Sequence, residues 1–170
     1  AAALLKLGQI QSDRLSDVEA SVGTYEDLLG LDPENFRAKD SLKKAYVELE
    51  QWDKLERFFE REGAWAEYVR QLESLAGSLS DASTRVELLF RAAGVWRDQL
   101  EDEARCTKAL ERVLGIDERN QRAAGILAPV YEERHDYKRL PPLLEILLDA
   151  ETDASARFDI QVKLARIAEG

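Results

Sequence analysis

"YEDLLGLDPENFRA" at residues 25–38 returns in altered form as "LERVLGIDERNQRA" at residues 110–123. Seven of the fourteen positions are identical, and three more exchange one apolar side chain for another. The second copy follows the first at an offset of half the chain, so one corner of structure is written twice. In each copy an apolar run ends at a glycine, Gly30 or Gly115, and an asparagine, Asn35 or Asn120, precedes a new run. Glycine enters the left-handed conformation that ends many helices, and asparagine accepts hydrogen bonds from the free amides of a helix start. Pro33 cannot continue the helix before it. The stretch therefore predicts one helix ending, a tight corner and a second helix beginning, with Leu28 and Leu31 filling the seam between them.

Working outward, the same half-chain offset pairs Leu42, Tyr46 and Glu48 with Leu127, Tyr131 and Glu133, and Leu55 and Glu60 with Leu140 and Glu145. Upstream, Leu4, Asp13, Leu15 and Asp17 meet Leu89, Asp98, Leu100 and Asp102. A second, shorter register pairs "DASTR" (81–85) with "DASAR" (153–157). It falls short of the first by the distance from Trp52 to Trp65. The first copy thus carries an extra aromatic-led segment around Trp65. Self-similarity at a fixed period is the signature of a repeat architecture. Apolar residues three and four apart, as in Leu42, Ala45, Tyr46 and Leu49, make each segment an amphipathic helix. Ser16 to Glu19 has the form of a capping box. Ten helices follow, over 1–14, 17–30, 35–50, 53–62, 65–78, 82–99, 103–114, 121–134, 138–149 and 155–168. No strand pattern competes and no linker interrupts them. The fold class is all-α, and residues 1–170 read as a single helical array of two double units, 1–85 and 86–170.

The helix pairs resemble the tetratricopeptide repeat (TPR), a helix–turn–helix unit of about 34 residues. Leu4, Leu7, Gly8, Tyr25, Leu28, Leu31, Asp32 and Pro33 carry the likeness in the first unit. Leu42, Tyr46, Trp52, Leu55 and Phe59 carry it in the second. Leu89, Ala92, Ala93, Trp96, Cys106, Leu110, Val113, Ile116 and Asp117 carry it in the third, and Leu127, Tyr131, Tyr137, Leu140 and Leu144 in the fourth. The pattern is degenerate: Leu55 is large for its place, Glu118 replaces the closing proline, and residues 63–80 fall outside the period. The resemblance implies an α–α superhelix that holds a peptide or protein along the face of each pair's first helix. On that face stand Leu5, Gln9, Arg37, Asp40, Lys44, Glu87, Phe90, Arg122 and Gly125. The Asn pair of the family's carboxylate clamp is missing, so that activity is not implied.

Composition narrows the function. The chain is 45% hydrophobic and 34% charged, with a net charge of −10 spread over both halves. A phosphate backbone is repelled, and no run of Lys or Arg offers an exception, which disfavours nucleic acid. No apolar run approaches a membrane span, and the first ten residues lack a signal peptide's basic start and cleavage site, slightly favouring a cytoplasmic home. Both ends fall inside helices, the expectation for a piece of a longer protein whose uncapped terminal helices associate with other copies.

Catalytic signals are sparse. His135 has no second histidine or cysteine to complete a metal set, and reads as a helix-end residue. Cys106 occupies a small-residue packing position. "QLEDEAR" and "YEERHD" lack calcium-loop spacing and read as solvated helix faces. No phosphate loop, nucleophile elbow or zincin motif occurs. No cofactor or metal is implied. Trp52 and Trp65 each begin a helix and Trp96 ends one, placing them in packing, with Trp65 the most exposed. Pro129 breaks one hydrogen bond of its helix, while Pro141 and Pro142 fit a first turn. The sequence thus favours a non-catalytic interaction scaffold, the alternatives being a structural spacer or an accessory region of a larger enzyme or regulatory protein.

Overall fold

Side-chain caps set where the helices start. Asp17, Asn35, Asp81, Asp102 and Asn120 each accept a hydrogen bond from the amide three residues on, and Asp153 does the same for Ala156. In the computed structural model, which describes residues 1–169, ten helices result. They are α1 (Ala2–Asp13), α2 (Val18–Leu31), α3 (Phe36–Glu48), α4 (Trp52–Glu62), α5 (Trp65–Ser78), α6 (Ala82–Asp98), α7 (Glu103–Leu114), α8 (Gln121–Glu133), α9 (Leu140–Ala150) and α10 (Ala154–Glu169). The described residues include no strand. Every helix lies within two residues of its expected bounds.

The quoted corner is the same object in both copies. Asp32 and Asp117 close the preceding helix, each donating its backbone N–H in a 2.8 Å hydrogen bond to the carbonyl of Leu28 or Val113. The Asn35 and Asn120 side-chain amides donate to those aspartates at 2.9 and 2.8 Å. Their side-chain carbonyls accept from Ala38 and Ala123 at 3.1 and 2.9 Å. Aspartate therefore holds the asparagine that caps the next helix. The glycines act differently from expectation. Gly30 lies inside α2 and Gly115 has φ −70°, so neither is left-handed. Leu28 is fully buried, but Leu31 is 72% exposed and fills no seam.

Left-handed residues occur elsewhere, at Ser16, Glu50, Glu101, His135 and Gly63. The four non-glycine ones form two pairs at the half-chain offset, Ser16 with Glu101 and Glu50 with His135. They mark the turns α1–α2, α3–α4, α6–α7 and α8–α9. After Glu50, Gly63 and His135 the next amide reaches back five residues, to Tyr46, Phe59 and Tyr131, which satisfies a carbonyl at the helix end. Ser16 is thus a turn residue and not a capping-box serine, the cap being Asp17.

Contact divides the chain into two compact units, Ala1–Ala64 and Trp65–Gly170, rather than at the sequence midpoint, which falls inside α6. The first unit contains α1 to α4. Its core joins Tyr25 and Leu28 of α2 to Leu42 and Tyr46 of α3 and to Leu55 and Phe59 of α4. The second contains α5 to α10. Its core runs through Tyr68, Leu72, Leu88, Leu89, Leu110, Leu127 and Leu140. Within each unit the substantial contacts join consecutive helices, as in a helical-hairpin repeat where each element covers its neighbours. Leu55, for all its size, is fully buried. Pro141 and Pro142 lie in the first turn of α9, where no amide donor is missed. Helix α8 runs continuously across Pro129. No described helix is long and apolar enough to cross a membrane.

Candidate functional site

Phe90 projects from α6 and is only partly buried. Arg122, from the first turn of α8, lays its guanidinium over that ring, 4.2 Å from the centroid. The contact is a cation–π pair that holds the aromatic face and leaves the arginine's outer edge available for carboxylate or carbonyl groups. A side chain placed at Gly94, one turn further along α6, would meet nothing within 4 Å, and at Gly125 only the Leu147 side chain at 3.9 Å. Backbone is therefore accessible on either side of the aromatic–arginine pair. Glu87 is held by Arg91 at 3.1 Å, and Lys163 of α10 reaches Glu132 of α8 at 2.8 Å. Thus α6, α8 and α10 are laterally joined by their own side chains.

In the first unit the corresponding positions are occupied differently. Leu5 and Arg37 are the half-chain counterparts of Phe90 and Arg122. Leu5 is partly buried in α1, while Gln9 and Arg37 are exposed. Asp40 and Lys44, one turn apart on α3, pair at 2.8 Å. Two of the expected residues are thus brought together in each unit, Asp40 with Lys44 and Phe90 with Arg122. Near the quoted corner Leu31 and Phe36 are 72% and 75% exposed, an apolar pair that the helical pattern had assigned to packing or passed over.

The residues weighed for chemistry take structural positions. His135 is an exposed turn residue whose Nδ1 meets the Tyr137 hydroxyl at 2.9 Å. Cys106 is buried, and burial raises its thiol pKa. Its counterpart Ser21 is fully buried and donates to the Val18 carbonyl. Trp96 is buried with its indole N–H on Glu73 at 3.1 Å and Arg105 over its ring at 4.5 Å. Trp52 is buried, and Trp65 is partly buried beside Tyr68. Among the described residues no group of three His, Cys, Asp or Glu side chains is disposed to hold a metal ion.

A repeated constellation escaped the sequence reading. Tyr46 donates its hydroxyl to Glu26 at 2.7 Å, and Tyr131 donates to Glu111 at 2.5 Å. A cation covers each ring, Lys54 at 5.9 Å and Arg139 at 5.3 Å. All three positions correspond at the half-chain offset. Burial first, and then the carboxylate, raises both phenol pKa values, that of Tyr131 to about 12. Arg139 also binds Glu111 at 2.6 Å and Asp136 at 3.0 Å. The signal was present in the sequence, since each copy has the glutamate, the tyrosine and a basic residue at the same places.

No family model matches the chain, and no curated protein matches it. Among solved structures it is similar to a thermophilic TPR protein from Thermus thermophilus. The identity is 15%, the match covers 99% of each chain, and the TM-score is 0.33. The helical-hairpin fold is carried by this chain's own helices, turns and repeated contacts.

Proposed function

We propose that this chain is a non-catalytic scaffold of the tetratricopeptide type that binds a peptide or protein segment across the first helices of its pairs. The observation behind the reading is the partly exposed Phe90 with Arg122 stacked on it, flanked by glycines that leave backbone accessible. An apolar side chain of the partner packs on the aromatic face while Arg122 takes a carbonyl or carboxylate beside it. Asp40 and Lys44, with Leu5, Gln9 and Arg37, form the candidate surface of the first unit by itself. Selection of a phage-displayed random dodecapeptide library on the whole chain tests this. Enriched peptides are expected to lose at least tenfold in affinity with Phe90→Ala and with Arg122→Glu. Enriched peptides that bind both variants as tightly as the parent would refute the assignment.

A further inference from the structure

The two tyrosine–glutamate corners are copies, yet their surroundings have diverged in charge. In the second unit the corner is internally neutralised: Arg139 is held by Glu111 and Asp136, and the next two positions along that face of α9 are Pro142 and Ile146. In the first unit the equivalent positions are Lys54, Arg57 and Arg61, and Gln51 replaces the aspartate. These three cations follow one another at i, i+3 and i+7 on α4, so they share one helical face. With Glu26, Tyr46 and Glu60 they line a cleft of about 450 Å³.

None of the three cations has a carboxylate partner among the described residues. Lys54 lies over the Tyr46 ring, and Arg61 Nε donates to the Arg57 carbonyl at 3.3 Å. Elsewhere Lys39, Lys44, Arg91, Arg105, Arg119, Arg139 and Lys163 each rest on an acid. The chain carries 34 acidic side chains against 24 basic ones. Glu26, which accepts from the Tyr46 hydroxyl, and Glu60 also line the cleft, so its three cations outnumber two carboxylates. Three neighbouring positive heads repel one another, and an anion placed among them relieves that repulsion.

We infer that this α4 cleft is a second binding site, one that takes the carboxylates of an acidic peptide segment between Lys54, Arg57 and Arg61. It is built on α2, α3 and α4 and shares no residue with the Phe90–Arg122 pair, so it stands whether or not that pair binds anything. The overall charge of −10 works against a polyanion, so capture of one reports this local cleft and not bulk attraction.

The test is fluorescence anisotropy of a labelled hexaglutamate peptide with the whole chain at low ionic strength. Saturable binding is expected, weakening as salt is raised. It should fall at least tenfold in the R57A/R61I double variant, and measurably in Gln51→Asp, which restores the acid of the second copy. Lys138→Ala, which removes an exposed cation of the second unit, should leave it unchanged, and far-ultraviolet circular dichroism should show each variant folded. Absence of saturable binding overturns the proposal, as does equal loss in Lys138→Ala or no loss in R57A/R61I. Displacement of the peptide by inorganic phosphate at the peptide's own concentration also overturns it, because the cleft would then take a free anion and not a peptide segment.

Discussion

Gly8 has the least room to change in the first unit. A Cβ on it would lie 2.6 and 2.8 Å from ring atoms of Tyr25, inside any real contact distance. Gly23, on α2, would meet nothing within 4 Å. Gly8→Ala should therefore destabilise by about 1–3 kcal/mol through overpacking. Gly23→Ala should stabilise by up to about 1 kcal/mol, because alanine prefers the helix. Urea unfolding followed by tryptophan fluorescence reads both, and a Gly8→Ala midpoint at or above that of the parent would contradict the contact. Tyr131 gives a second test. Its phenol is raised from 10.0 to about 12 in the folded state, so folding favours the protonated form. The stabilisation is complete below pH 10 and is lost as pH rises through about 12. Tyr131→Phe should cost about 1.5–3 kcal/mol at neutral pH, the range for a hydrogen bond to a charged acceptor. It should also remove one ionisation near pH 12 from the ultraviolet tyrosinate titration. The apolar period locates Tyr131 in the core, but its bond to Glu111 joins positions 20 apart, a spacing with no local meaning in a helix.

Helices and their starts were legible because they depend on neighbours in sequence: an apolar residue every three or four, a carboxylate or amide oxygen within reach of the third amide. Helix ends were less so. Glu50 and His135 take the left-handed turn without being glycine, because the hairpin and its reaching-back hydrogen bond impose it. Conversely, Gly30 was an attractive stop that the helix simply ran through. "DASTR" and "DASAR" show a motif that repetition flagged and structure explains. Asp81 and Asp153 cap α6 and α10. Arg85 and Arg157 then reach back nine residues to the carbonyls of Ala76 and Leu148, clasping the helix before. Arg85→Ala should loosen α5 from α6, seen as faster amide hydrogen exchange at the end of α5. Pro129 is exposed within α8 and denies Gly125 its amide partner. Pro129→Ala should raise stability by up to about 3 kcal/mol, measured as a higher urea midpoint.

At the scale of the whole molecule, the terminal helices are the least covered elements. No residue of α10 is buried, and α1 buries only Gly8. Its counterpart α6 buries six residues between α5 and α7, whereas α10 has α9 on one side and Phe158 63% exposed. Concentration-dependent mass in sedimentation equilibrium is the expected result, reduced by Leu164→Glu. A monomer at every concentration would argue that these faces stay solvated. The sequence had already marked both terminal helices as uncapped.

The left-handed turns give the chain something like a reading frame. Those at non-glycine residues join α1 to α2, α3 to α4, α6 to α7 and α8 to α9, whereas α5 follows a left-handed glycine, Gly63, and α10 follows none. One added helix thus shifts the phase of all that follows, as a single inserted letter shifts a message read in twos. Dissection of the protein should respect that phase: a cut at 85–86 would sever α6, while a cut at 64–65 spares every helix.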